Sequence, residues 1–330
     1  MFYIGADIDK RKVHCVLLLD PESYKTRRKA VPNTPAGMHQ LIAWAVKRTG
    51  QPVGELHVIL EATGPYHETA AQTLYEAGVT VSVVNPKQIK DYAKGIGHKA
   101  KNDEQDALAL ADFGVHRRPR AWQPPPPEFR QLHALLGRLE ALEKDLRRER
   151  NRQEKATVSA ASPRVLASLE RSIAFLEQEK KRLLDEIDKH IDRHPQLRAD
   201  RARLQSIPGI GPVLSRWTVL LLQHGQRFRS AAQFAAYLGV IPSEHTSGAT
   251  VRQRPQLSKT GPSHLRAKLY MAAVAAIQHN PVVRAHYERL LQRGKCKMSA
   301  LGGAMRKLAH ICFGVIKHQT DFQSPISQEG

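Results

Sequence analysis

The sequence predicts an α/β domain followed by a mostly helical chain, α/β plus α in class. Three observations carry this. Strand-like and helix-like stretches alternate up to about residue 125, a proline run (Pro124–Pro127) closes that stretch, and leucines then recur at heptad spacing from Leu132 to Leu146. In order, residues 2–20 ("FYIGADIDKRKVHCVLLLD") form two strands joined by a tight polar turn around Asp9–Lys12. "GMHQLIAWAVKRTG" has apolar residues at helical spacing and a closing glycine. "ELHVILEATGPYH" is an apolar strand ending at Glu61, and "ETAAQTLYEAGVTVSVVNP" runs helix, glycine stop, strand. The prolines of "RRPRAWQPPPPEF" fit neither a helix nor an interior strand, which places the first boundary at 125.

Beyond it, Leu132, Leu135, Leu139, Leu142 and Leu146 occupy a and d positions; "TVSAASP" breaks the pattern, and Leu166, Leu169, Ile173, Leu176, Leu183 and Ile187 resume it. Lys180 falls on an a position and weakens the second seam. Segment 126–200 therefore reads as a helical hairpin or an oligomerising coiled coil, with a bundle inside one chain as the alternative. Segment 201–330 is mostly helical, interrupted by a polar loop at about 241–263 that carries Arg252, Arg254 and Lys259 among Ser, Thr and Gly. Polar loops of that length in compact domains commonly carry function.

Composition narrows the partner. Lys and Arg number 51 against 31 Asp and Glu, a formal charge of +20, which favours nucleic acid; a membrane surface is the weaker alternative because no basic amphipathic helix stands alone. No apolar run is long enough to span a bilayer, and the chain opens directly on a strand, from which no signal peptide is expected. Cys15, Cys296 and Cys312 are scattered, form no CxxC pair and read as buried thiols of a reducing cytosol.

Four acids stand in costly places. Asp7 lies within the first strand, Glu61 ends another, and Asp103 and Asp106 sit one helical turn apart in "KNDEQDALALADF", just after Lys99 and Lys101. Converging carboxylates can hold Mg²⁺ (or Mn²⁺), which takes oxygen ligands and leaves positions for phosphate. Taken singly, Asp103 could cap its helix and Asp106 could pair with a lysine. In "SIPGIGPVLS", Gly209 and Gly211 can expose backbone N–H groups to a phosphate at a helix N-terminus, or can simply turn the chain between helices. Ser247 in "HTSGAT" is a turn residue or a nucleophile, with His245 and Arg252 as nearby groups to activate it or steady a phosphate. His14, His57, His67 and His98 show no metal spacing and read as ordinary.

"YIGADIDKRK", "ILEATGPYH", "KNDEQDALALA", "IPGIGPVLS" and "LGVIPSEHTSGATVRQRPQLSKTGPSHLRAKLY", in this order, resemble one family over nearly the full chain: the DEDD transposases of bacterial insertion sequences, bridge-RNA-guided serine recombinases. The resemblance implies an N-terminal RuvC-like domain of RNase H fold at 1–125, a coiled-coil segment at 126–200 and a transposase domain at 201–330. Its acidic tetrad falls on Asp7, Glu61, Asp103 and Asp106, and its catalytic serine on Ser247. Asp9 stays a turn residue, and Ser243 and Ser258 miss the Ser-Gly position. Expected partners are double-stranded donor and target DNA and a structured non-coding guide RNA. Lys99, Lys101, Gly209, Gly211, Arg252, Arg254, Lys259 and Arg266 are the expected backbone contacts. A bacterial cytoplasmic protein, forming dimers that assemble to a tetramer, would suit this role. Two competing readings use less of the chain: a RuvC-like nuclease needs the acids without Ser247, and a non-catalytic bridging protein needs neither.

Overall fold

The computed structural model describes residues 1–62, 64, 66–97, 102–223, 227–243, 246–247, 251–252 and 256–324. Lys99, Lys101 and Arg254, with His98 and His245, lie outside the described residues. The chain divides into two compact units, Met1–Pro125 and Pro126–Gly330.

The first unit is built on a five-stranded mixed sheet. β1 (Phe2–Ile8), β2 (Lys12–Asp20), β3 (Lys25–Pro32), β4 (Leu56–Glu61) and β5 (Thr80–Val84) stand in the order β3-β2-β1-β4-β5. β1, β4 and β5 run parallel, and β2 is antiparallel to both its neighbours. The tight turn expected at Asp9–Lys12 is present, with Asp9 N–H donating to Lys12 O at 2.9 Å. β3 is not apparent in the sequence, because "KTRRKAVP" lacks an apolar stripe; its cations suit the open edge of a sheet, where charge discourages pairing with other chains.

Helices cover both faces. α1 (Pro35–Thr49) is capped by the Thr34 hydroxyl and closed by Gly50 at φ +67°; with α2 (Tyr66–Glu76) it packs Met38, Leu41, Ala70 and Leu74 onto one face. α3 (Pro86–Gly95) and α4 (Asp103–Arg117) cover the other, where Ile89, Leu110 and Phe113 meet Ile59 and Val84.

In the second unit α5 (Pro127–Val158) and α6 (Pro163–Arg193) form a helical hairpin that turns at 159–162, as the break in the leucine pattern requires. The buried leucines of α5 are Leu132, Leu136, Leu139, Leu142 and Leu146; Leu136 takes the buried place expected for Leu135, which packs partly buried against the same core. Lys180 is accommodated by Glu143 at 3.6 Å. The hairpin shares one apolar core with α7 (Pro195–Gln205), α8 (Pro212–Leu222), α9 (Ala231–Tyr237), α10 (Ser263–His279), α11 (Pro281–Gln292) and α12 (Lys297–His318). Asp188 of α6 fastens α8 through a two-point pair with Arg216 (2.8 and 2.6 Å), which holds its carboxyl below the ordinary range. Between α9 and α10, two short antiparallel ladders pair β6 (Pro242–Ser243) with β9 (Gln256–Leu257) and β7 (Thr246–Ser247) with β8 (Val251–Arg252).

Candidate active site

The acidic centre follows from strand register and one glycine. In the parallel β1–β4 pair Ala6 stands opposite Leu60, so Asp7 and Glu61, one residue further on, project from the same face at the C-terminal ends of neighbouring strands. That edge is where open α/β sheets bind ligands. Gly5 shares this face with Asp7. A Cβ on Gly5 would stand 1.8 Å from Ala107 O and 2.5 Å from Ala111 N, so only a glycine lets the α4 backbone lie this close to β1. Gly114 does the same further along, where a Cβ would stand 2.7 Å from Tyr3 and 2.8 Å from Ile59. α4 therefore runs antiparallel to β1, and its first turn, with Asp103 and Asp106, arrives over the end that carries Asp7.

Asn102, and not Asp103, caps this helix, accepting from Gln105 N–H at 2.8 Å. Asp103 and Asp106 are therefore not used as caps, and the helix dipole favours negative charge in this first turn. Among the described residues no cation stands within 4.0 Å of Asp106; Lys99 and Lys101, the lysines nearest it in sequence, lie outside them. Glu104 pairs with Arg28 of β3. Further along α4 the buried Asp112 accepts from Tyr24 Oη at 2.8 Å and Tyr92 Oη at 2.7 Å, tying the helix to the β2–β3 turn and to α3.

Asp7 and Glu61 feel the neighbouring acids. Burial first, then the charges of Asp103 and Asp106, raise the Asp7 carboxyl above its ordinary range, with His14 opposing. Burial, then Asp7 and Asp106, raise Glu61 in the same way. Among the described residues no three His, Cys, Asp or Glu side chains stand close enough together to hold a metal ion. The donor set itself, all carboxylate oxygens, fits a hard divalent cation.

His14 belongs to this centre, contrary to its reading as an ordinary residue. It stands opposite Asp7 in the β1–β2 ladder, and its Nε2 lies 3.4 Å from Asp103 Oδ2. The turn at Asp9–Lys12 already contains this pairing, since a hairpin turned there must bring residue 14 beside residue 7. His57 is a core histidine by contrast: it is buried against Ser82 Oγ at 2.8 Å, and burial pushes its pKa down to about 4.

These shifts set a pH dependence with a definite sign. A carboxyl whose pKa is higher in the fold than in the unfolded chain binds its proton more tightly when folded. The stability it contributes is present below the ordinary carboxylate range and is lost as pH rises through the raised pKa. At pH 7 without divalent cations, Asp7→Asn is therefore expected to raise Tm by roughly a few degrees, and added Mg²⁺ should stabilise the wild-type protein more than the variant. Scanning calorimetry in chelator checks this, and a lower Tm for Asp7→Asn contradicts it.

In the second unit Ser247 pairs with Val251 and Thr246 with Arg252 in the β7–β8 ladder, so the expected nucleophile lies on a paired strand. Lys259 is exposed, while the Arg266 guanidinium is turned onto backbone carbonyls. Gly209 has φ +100°, and a Cβ there would meet Ala276 of α10 at 2.6 Å, so its structural role is close helix packing. Gly211 opens α8, is exposed and has open space around it.

Residues 4–160 match a family model described as "Transposase", of the DEDD IS110 type, and residues 201–288 match "Transposase IS116/IS110/IS902 family". The pilin gene-inverting protein of Moraxella lacunata is 31% identical over 328 residues, covering 99% of both chains. The chain belongs to the IS110 family of transposases. The probable family 20 transposase of Pseudomonas aeruginosa is 26% identical over 81% of this transposase and 85% of its own length. The transposase for insertion sequence element IS1111A of Coxiella burnetii is 26% identical over 67% and 66%. Among solved structures, T. thermophilus RuvC in complex with Holliday junction substrate aligns at 18% identity and a TM-score of 0.25, covering 35% of this chain and 93% of that one. Among the described residues of the transposase no helix is long and apolar enough to cross a membrane.

Proposed function

We propose that this transposase joins donor and target DNA through a phosphoserine at Ser247, with Mg²⁺ (or Mn²⁺) held by Asp7, Glu61, Asp103 and Asp106 in a RuvC-like domain of RNase H fold. The observation that carries the reading is the meeting of four carboxylates at one edge of the sheet, on a helix seated there by Gly5. Asp7, Glu61 and Asp106 are half-buried, and acids that repel one another there are costly unless they are protonated or a cation offsets their charge. Bound there, the cation would neutralise the acids and stabilise charge on a reacting phosphate.

The rest falls to the chain. His14 orients Asp103. The Ser247 oxygen forms a bond to a backbone phosphorus as the bond from phosphorus to a sugar oxygen breaks, and the serine's proton leaves with the freed sugar hydroxyl. Attack by a hydroxyl of the exchanged strand reverses the step and releases the serine, so no phosphodiester energy is lost to water. A relative named for inverting a pilin gene supports this, because a gene cannot be inverted without cutting and rejoining both ends. Pairing with a structured guide RNA would choose the sites, and the protein would grip backbone through Lys99, Lys101, Arg252, Arg254 and Lys259. A multimer, dimers joining as a tetramer in the cytoplasm, would supply a site for each strand. The competing nuclease reading shares the acids but leaves Ser247 idle.

Titration calorimetry with Mn²⁺ tests the acidic centre. The wild-type protein is expected to bind the ion, and Asp106→Ala to bind it at least about tenfold more weakly through loss of one oxygen ligand. Equal binding by Asp106→Ala and Asp7→Ala would move the cation elsewhere.

A further inference from the structure

The segment that carries Ser247 leaves and rejoins the second unit through one narrow neck. The outgoing backbone passes Tyr237, Leu238 and Gly239, the last at φ +70°; the returning backbone passes Lys259 at φ +51°, Thr260 and Gly261 at φ +124°. A Cβ on Gly261 would stand 2.1 Å from Tyr237 O, and one on Gly239 would stand 2.5 Å from Thr260 O, so the two passes touch with no room for a side chain between them. Lys259 N–H donates to Gly239 O at 3.3 Å and Ser258 N–H to Ile241 O at 2.9 Å. The β6–β9 and β7–β8 ladders continue this pairing outward to Ser247, but each strand is two residues long. A two-stranded ribbon that short has little stability of its own, so its geometry is set where it is anchored.

One side chain bridges both passes. Arg266, on the first turn of α10, donates from Nη1 to Lys259 O at 3.2 Å and to Leu238 O at 3.5 Å. The same nitrogen lies 2.9 Å from where a Gly239 Cβ would be. Arg266 is half-buried, and among the described residues no carboxylate stands within 4.0 Å of it. Both of its hydrogen bonds to the neck come from Nη1 and go to backbone carbonyls.

We infer that Arg266 is a positioning residue: it clasps the two ends of the Ser247 ribbon and fixes the ribbon's approach, and it is not the phosphate contact that its charge suggests. What the clasp serves rests on the reading of Ser247 as nucleophile; the clasp itself does not. Arginine suits the task because its planar guanidinium is pre-organised and presents Nη1 rigidly to both carbonyls, whereas the lysine ammonium is a compact charge on a flexible stem.

The test uses the full-length protein with Arg266→Ala and Arg266→Lys, read in three ways. Hydrogen exchange at the Ser258 and Lys259 amides should quicken by about tenfold or more in both variants, with the rest of α10–α12 unchanged. Affinity for duplex DNA and its dependence on salt should stay as in the wild type, since no phosphate contact is lost. Covalent adduct with DNA should fall by about 100-fold, the scale of a displaced reacting group. Unchanged exchange at the neck overturns the clasp, and so does a salt slope shallower by about one, the signature of a lost phosphate contact. Quickened exchange with adduct at the wild-type level removes the positioning role. Should Arg266→Ala lose protection throughout the unit, Arg266→Gln, which keeps a donor without the charge, supplies the same three readings. If the wild-type protein itself forms no adduct, the Ser247 reading has failed, and the exchange and salt measurements still decide the clasp.

Discussion

Gly5→Ala is expected to abolish cation binding and recombination together, through a methyl group that touches neither metal nor DNA. The added carbon would stand 1.8 Å from Ala107 O and 2.9 Å from Ala107 C, both backbone atoms of α4. A flexible side chain could turn aside from such a contact, but a helix backbone must move as a body. α4 is also fixed on its far side by Asp112 with Tyr24 and Tyr92, and at its other end by Gly114 against Tyr3 and Ile59. The helix therefore tilts or lifts, at a cost of about 3 kcal/mol, the upper end for an overfilled core. Its first turn moves with it and carries Asp103 and Asp106 away from Asp7 and Glu61. Circular dichroism and Mn²⁺ titration of the variant check this; a Gly5→Ala protein with wild-type Tm and cation affinity would show that α4 is not seated by this contact. Gly137, inside α5 with nothing within 4 Å of its Cβ position, is the control: Gly137→Ala should leave cation affinity unchanged and, as alanine for glycine within a helix, should not lower Tm.

Ser247→Ala is expected to remove recombination entirely while leaving the rest of the protein as it was. The change deletes one oxygen from a residue whose backbone pairs with Val251, and alanine can keep that pairing. Fold, Mn²⁺ affinity and DNA affinity should match the wild type, because none of the four acids and none of the proposed backbone contacts is touched. Loss of the nucleophile in a covalent mechanism leaves no alternative route of comparable rate, so the fall should exceed about a thousandfold. A recombination assay on paired donor and target duplexes measures it. Activity retained in Ser247→Ala and lost in Asp7→Ala is the result a metal-dependent nuclease would give.

How much of this was legible in the sequence depends on the length of the feature. The acids were readable one by one because each lies on an element with a clear period: Asp7 and Glu61 on apolar strands, Asp103 and Asp106 on a helix. Their grouping came from the family resemblance and not from the residues themselves, since the approach of α4 to the sheet depends on Gly5 and Gly114, and a glycine in a strand does not say what approaches it. His14 could have been found from the Asp9–Lys12 turn, which fixes its partner in the ladder. α3 carried a signal too, Asn85 followed by Pro86, a cap and a first-turn proline. β3 carried none, because an edge strand made of lysine and arginine has no apolar alternation. The ribbon around Ser247 was hidden for a different reason: two-residue strands are too short to show any period, and what shapes them is the neck at Gly239, Gly261 and Arg266. Arg266 shows the limit most clearly, as its charge points to phosphate and its hydrogen bonds go to Leu238 and Lys259.

The central claim is that DNA is held covalently by Ser247 during exchange. The direct measurement is to trap the wild-type protein on labelled donor duplex with guide RNA and Mg²⁺, denature it, digest the adduct and map the modified residue by mass spectrometry. The account predicts a nucleotide attached to the peptide that contains Ser247, absent from Ser247→Ala and absent when Mg²⁺ is chelated. Cleaved DNA with no protein attached, or an adduct mapped to Ser243 or Ser258, would contradict it.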